Sequence, residues 1–311
     1  MTPSNLVPGF SCRVAALLLA VAAAAPAARA QAPAADSAAA REAEFDAALA
    51  AGYKAGTRGP ATVKLLDQAT LAVPADEIFI PTAEGNRILR ALGNTINGDT
   101  YQGIVLGTQR TDAWIVVVRY VKDGYIKDDD AKNWNADELL QNLKSGNEEA
   151  NKDRASRGFP QVEIIGWIEK PTYDSSTHRL VWSLSSKDKG EPDSADKGIN
   201  YNTYALGRDG YFSLNLLTSS ARIDADKAVA RNLLAALAYN SGRRYEDFNA
   251  STDHIAAYGI VALVGGLAAK KLGLLALAGA FVLKFAKLIF LGVAAFFGGV
   301  FKLFGRKKTQ A

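Results

Sequence analysis

VEIIGWIE (Val162–Glu169), KPTYDSSTH (Lys170–His178) and RLVWSLSS (Arg179–Ser186) follow one another without a gap, and their reading decides the fold. The first is rich in β-branched and aromatic residues, and the last carries Leu180, Val181, Trp182 and Leu184. The middle one holds a proline and several turn formers. Two strands joined by a polar loop satisfy that pattern. Trp167 and Trp182 fall on facing strands of this hairpin and read as sheet-face aromatics.

Downstream, Lys187–Gly198 is charged and carries Pro192 and two glycines, so it reads as a mobile loop. A second hairpin follows, Ile199–Leu206 and Gly210–Leu217, turning at Gly207-Arg208-Asp209-Gly210. Asp224–Tyr239 has helical spacing, with Val229, Leu233, Leu234 and Leu237 inward. Upstream, Ala61–Leu66, Ala69–Val73 and Glu77–Ile80 have strand composition, and Thr82 is positioned to cap a helix that Gly93-Asn94 stops. Tyr101–Thr108 and Ala113–Val121 read as strands, with Lys122-Asp123-Gly124-Tyr125 as a hairpin turn. Asn135 caps a helix running to about Arg157, its second half expected in solvent. Hairpins dominate the order. The predicted class is therefore α+β, a mainly antiparallel sheet with packed helices, plus a C-terminal helical membrane segment.

Both ends differ from this middle. Residues 1–30 resemble a secretory signal: Arg13, the apolar run VAALLLAVAAAA (Val14–Ala25), and Ala28-Arg29-Ala30 ahead of a cut between Ala30 and Gln31. Residues 31–59 read as an Ala-rich linker with a marginal helix at Arg41–Ala51. The folded domain is expected at 60–254, a membrane-embedded helical tail at 255–304 and a basic end at 305–311. IAAYGIVALVGGLAA (Ile255–Ala269) has no charge, and Lys270, Lys271, Lys284 and Lys287 follow it. No stretch reaches the roughly 20 apolar residues of a comfortable span. On a helix turning about 100° per residue, Lys270, Lys284, Lys287 and Lys302 fall in one stripe, as in a helix lying at a membrane interface. One span or two stays open.

Net charge is +4 from 36 basic and 32 acidic residues. Residues 1–30 and 255–311 contain ten of the basic residues and none of the acidic ones, so the middle carries a net of −6. A nucleic-acid partner needs a basic patch on the folded domain, and this distribution argues against one. The single cysteine, Cys12, lies in the leader, which excludes disulfides and thiol catalysis in the mature chain.

Catalytic signals are sparse. Among acyl-transfer groups, His178 has Ser175, Ser176 and Asp174 beside it, but local adjacency is not triad geometry. His254 is the only other histidine, too little for a zinc site without cysteines. Asp128-Asp129-Asp130 lacks the glycine and distal glutamate of a calcium loop and reads as a solvated turn. There is no phosphate-binding glycine loop. No cofactor and no metal are expected.

GFPQVEIIGWIEKPTYDSSTHRLVWSL (Gly158–Leu184), GYIKDDDAKNWNADELL (Gly124–Leu140) and NYNTYALGRDGYFSLNL (Asn200–Leu216) together resemble a bacterial family of uncharacterised membrane-anchored proteins, domain of unknown function 2167. LLDQATLAVP (Leu65–Pro74) and AYGIVALVGGLAAKKLGLL (Ala257–Leu275) extend the likeness over about 60–305. The resemblance implies a membrane-anchored envelope protein and brings no activity or catalytic residue.

The expectation is thus a protein of the bacterial inner membrane, its main domain in the periplasm, binding or scaffolding a partner. The lipid bilayer and another envelope protein are the expected partners. Two alternatives remain: a periplasmic hydrolase using His178 with Ser176 and Asp174, or a transport element using Lys284 and Lys287, whose charges at membrane depth are costly.

Overall fold

The structure, a computed structural model, describes residues 34–94, 99–109, 112–132 and 134–265, with backbone alone for 34–39. It opens on helix α1 (Ala34–Ala55), where a linker with a marginal helix was expected. Such a helix is weak alone and gains its stability from packing. Ala48 is fully buried, and Phe45, Leu49 and Tyr53 pack against the core cluster that holds Ile78, Ile80 and Ile88. Gly56 permits the approach, since a Cβ there would lie 2.6 Å from Ile78. Arg87 closes the contact with two bonds to Glu44, at 2.5 and 2.8 Å.

Strands β1 (Thr57–Arg58), β2 (Ala61–Leu65), β3 (Ala69–Val73) and β4 (Glu77–Ile80) lead to helix α2 (Thr82–Ala91). The expected Thr82 cap is corrected: Pro81 is the N-cap, and no side chain bonds there. Thr82 sits one position too far in for its hydroxyl to reach the first free N–H groups. Gly93, at φ +82°, ends the helix as expected.

Next come β5 (Tyr101–Gly107), β6 (Ile115–Val121) and β7 (Tyr125–Lys127). Lys122–Tyr125 makes no hairpin. Gly124 turns at φ +95° and its N–H donates to the Asp209 carbonyl at 3.0 Å. The chain thereby leaves the sheet, and β7 pairs in parallel with β13 (Ile255–Gly259).

Helix α3 (Ala136–Ser156) is capped by Asn135, whose Oδ1 accepts from the N–H groups of Asp137 and Glu138 at 3.0 and 3.3 Å. Its second half is not simply exposed. Asn147 and Asn151 are buried and hold Val162, the first residue of β8 (Val162–Asp174). The predicted loop Lys170–His178 is mostly strand, because β8 runs on to Asp174 with three irregularities in its pairing with β9 (Arg179–Asp188). Pro171 is tolerated there because β8 is an edge strand.

The second hairpin is β10 (Gly198–Leu206) and β11 (Tyr211–Ser219), as expected. Helix α4 (Ile223–Ala236) stops three residues early, and β12 (Leu237–Tyr239) pairs with β3. The main sheet has eight strands in the order β1-β4-β5-β6-β11-β10-β9-β8, and β12-β3-β2 forms a small second sheet. Every pairing in the main sheet is antiparallel.

Alternation sorts the core. Val116, Val118 and Tyr120 of β6 join Phe212, Leu214 and Leu216 of β11 beneath α4 and the small sheet. Ile115 and Val117 point the other way. On that face α1 and α2 cover the β4–β5–β6 half. Helix α3, β7, β13 and residues 260–264 cover the β8–β9–β10 half.

The boundary at Ile255 needs correcting. Ile255–Gly259 is a strand of the domain, and Ile260, Leu263 and Val264 are buried in its core. A short apolar run reads alike whether core or lipid covers it. Among the described residues, no helix is long and apolar enough to cross a membrane. The predicted cut at Ala30-Gln31 and the anchor lysines Lys270, Lys271, Lys284 and Lys287 lie outside the described residues.

Candidate functional site

The β8–β9 turn places the sequence-predicted triad residues, and it separates them by role. Asp174 accepts from the Ser176 N–H at 2.9 Å, the Ser176 hydroxyl at 2.7 Å and the Thr177 hydroxyl at 2.8 Å. Those donors pull its carboxyl down to about 2. Asp174 and Ser176 thus close the turn on each other.

His178 faces elsewhere. It sits at φ +53°, and its ring stacks on Tyr245 at 3.9 Å. Tyr173 donates its hydroxyl proton to Asp128 at 2.7 Å. His178 Nδ1, 3.0 Å from that same hydroxyl oxygen, must then be the donor of their bond. Nε2 lies 3.5 Å from Glu246. The stack continues from Tyr245 to Tyr125 at 4.4 Å and from Tyr125 to Phe248 at 3.9 Å. Tyr245 also donates to the Ile126 carbonyl at 2.9 Å, and the Tyr125 N–H to the His254 carbonyl at 2.8 Å. These bonds stitch β7 and β13 to the sheet. They aim no nucleophile at the imidazole. Among the described residues, no group of three or more His, Cys, Asp or Glu is placed to hold a metal.

A second constellation lies where the two helical layers meet on the sheet. Tyr101, Arg119, Ser213 and Tyr204 occupy one cross-strand row over β5, β6, β11 and β10. Asn215, Asn202 and Trp182 occupy the next row over β11, β10 and β9. Pleat alternation puts both rows on the face that α2 and α3 flank. Tyr101 is 3% exposed and packs its hydroxyl against Gly85 of α2, where a Cβ would lie 2.1 Å from it.

Arg119 is the centre of this row. Its Nε and Nη2 are buried and have no hydrogen-bond partner among the described residues, nor have the Tyr101 hydroxyl and Asn215 Oδ1. None of the ion pairs among the described residues includes Arg119. Burial pushes the guanidinium pKa down, against the opposing pull of the Tyr101, Tyr204 and Tyr211 hydroxyls. Burial pushes the Tyr101 hydroxyl up. A buried charged donor without an acceptor is rare in native proteins and calls for an explanation.

Sequence reasoning passed over Arg119, reading AWIVVVRYV only as a strand. The available signal was its place in the alternation. Ile115, Val117 and Arg119 share a face, and both faces of this strand are apolar enough to be buried. A charge there is out of pattern.

Among solved structures, the solution structure of cyanobacterial PsbP (CyanoP) from Synechocystis sp. PCC 6803 is similar at a TM-score of 0.36 and 12% identity, covering 57% of this chain and 89% of that one. No curated protein matches the chain. The family described as "Protein of unknown function (DUF2167)" matches residues 57–296. That span takes in every strand and helix described above except α1, and the chain belongs to this family.

Proposed function

We propose that this chain is a membrane-tethered envelope protein whose exported α+β domain is a binding module. The observation that carries the binding role is Arg119, whose Nε and Nη2 are buried on the sheet face with no acceptor among the described residues. Burying such a group is unfavourable unless a partner satisfies it. A binding site supplies that partner from outside.

The tether is supported by the sequence: the signal-like residues 1–30 and the acid-free, lysine-striped run beyond Gly265. Positive residues favour the cytoplasmic side, so Lys302, Arg306, Lys307 and Lys308 would face inward and the acidic domain outward. The hydrolase reading gains no support from the geometry, since Ser176 bonds Asp174 and His178 bonds Tyr173.

The test is a labelling map in intact cells. Single cysteines replace Thr252, Gly273 and Thr309 in the cysteine-free mature chain, and an impermeant thiol reagent is added. Thr252 is exposed on the domain, so its cysteine should label from outside while that at Thr309 stays protected. Protection at Thr252 with labelling at Thr309 would reverse the orientation and end this reading. Turnover by the purified full chain on a hydrolase panel, lost in His178→Ala, would end the non-catalytic part.

A further inference from the structure

We infer that the Arg119 row binds a small organic carboxylate with an apolar body. The inference rests on the binding-module reading and gives that module its ligand class. Three features of the row select the chemistry.

The first is the pair of open donors. Nε–H and Nη2–H lie on one edge of the planar guanidinium and point in parallel, and both are buried without an acceptor among the described residues. That edge matches the two oxygens of a carboxylate, one N–H to each. The second is the single charge. Among the described residues, no other cation contributes to the electrostatics at Arg119, where the neighbouring groups are the hydroxyls of Tyr101, Tyr204 and Tyr211. One guanidinium balances a monocarboxylate, whereas a phosphate dianion would keep an uncompensated charge in a largely buried site. The third is the surroundings. Tyr204, Tyr211 and Trp182 are buried on the same face, and Trp182 and Tyr204 stack at 6.4 Å. Aromatic neighbours suit an apolar body behind the carboxylate.

Two further groups complete the site. The Tyr101 hydroxyl, buried and without an acceptor among the described residues, can donate a third hydrogen bond to the anion. Asn215 Oδ1 is an acceptor without a donor among them, open to a hydroxyl or amide elsewhere on the ligand. The residues Arg119 and Asn215 each keep part of their surface in solvent, which gives the row an entrance.

The experiment titrates the purified full chain in detergent with sodium benzoate, sodium acetate and inorganic phosphate at fixed ionic strength. Tryptophan fluorescence and the thermal midpoint are read together. Benzoate should give a saturable response, stronger than acetate, with phosphate weaker than both. Arg119→Met should abolish the benzoate response while raising the midpoint of the unliganded protein, because it removes two buried N–H donors that lack acceptors among the described residues. Tyr101→Phe loses one hydroxyl and keeps the ring, so it should fold normally and bind benzoate about tenfold more weakly. It keeps the proposal testable should Arg119→Met misfold. A wild type silent to both carboxylates, phosphate binding tighter than benzoate, or a response unchanged in Tyr101→Phe would each overturn the inference. Failure here with Thr252 labelled from outside removes the carboxylate site and leaves the tethered domain standing. Reversed labelling removes the tether and leaves this titration valid.

Discussion

Asp130 reaches across 130 residues of sequence to hold the end of the described chain: its Oδ1 accepts from the Ile260 N–H at 3.1 Å, and its Oδ2 from the Val261 N–H at 3.4 Å. The triple-aspartate turn is therefore not merely solvated. Its third carboxylate caps the turn of helix at 261–265 and locks it beside β7. Gly259 leaves room for it, since a Cβ there would lie 2.3 Å from Oδ2.

Removing that cap should loosen the junction. Asp130→Ala is expected to lower stability by about 1 kcal/mol, as other lost helix caps do. Asp130→Asn keeps an acceptor oxygen and should recover most of the loss. Urea denaturation measures the difference, and hydrogen exchange should rise at 255–264 before it rises in β10 or β11. Equal protection in both regions of Asp130→Ala would show that the cap does not hold the junction.

Glu77 gives a pH dependence with a definite sign. It is 7% exposed, and its Oε2 has no hydrogen-bond partner among the described residues. Burial, with the nearby Asp76 charge second, pushes its carboxyl up to about 7. The folded state therefore binds a proton that the unfolded chain, at the ordinary value of 4.5, has already released. Where the native state binds more protons, stability falls as pH rises. The domain should lose stability between about pH 4.5 and 7, by up to about 2–3 kcal/mol from this group. Glu77→Gln should remove that slope and be the more stable protein at about pH 8. A slope unchanged in Glu77→Gln would assign it to other groups.

Asn147 and Asn151 make an unequal pair. Asn151 both donates to the Val162 carbonyl and accepts from its N–H, each at 2.8 Å, while Asn147 donates to the same carbonyl at 2.7 Å. Asn151→Ala leaves the buried Val162 N–H without its acceptor and should cost about 2–3 kcal/mol. Asn147→Ala leaves the carbonyl with Asn151 and should cost about 1 kcal/mol. Chemical denaturation of the two variants checks the ranking; equal losses would mean that the N–H finds another acceptor.

Much of the sheet was legible because alternation and turn residues coincide at β10–β11: aromatic and leucine positions alternate, and Gly207–Gly210 supplies the turn. The misread segments share a cause, which is that distant pairing decided them. Leu237–Tyr239 continues the helical spacing of α4 but is drawn into pairing with β3. Tyr125–Lys127 follows a good turn signal but pairs with a strand near the end of the domain. The alanines of α1 predict little by themselves; only packing shows that Ala48 is core and that Gly52 lets the helix approach Ile80 and Ile88. The candidate site was hidden for a related reason. Tyr101, Arg119, Ser213 and Tyr204 lie far apart in sequence, and only the strand register aligns them. His178 drew attention through neighbours that the turn geometry then directed away from it.

His178 itself should prove structural. Its backbone is left-handed at φ +53°, and its carbonyl accepts the Leu206 N–H at 2.9 Å, so it fixes the start of β9 against β10. Its ring adds the Tyr245 stack and the Tyr173 bond. His178→Ala loses both and keeps an unfavourable φ, and should cost about 1–2 kcal/mol. His178→Asn tolerates the left-handed backbone better and can still bond Tyr173, so it should fall between alanine and wild type. A residue that serves the fold alone predicts cellular function tracking the amount of folded protein in both variants. Complementation scored against protein level in cells separates the cases. Loss of function in His178→Asn at wild-type abundance would return the imidazole to a chemical role.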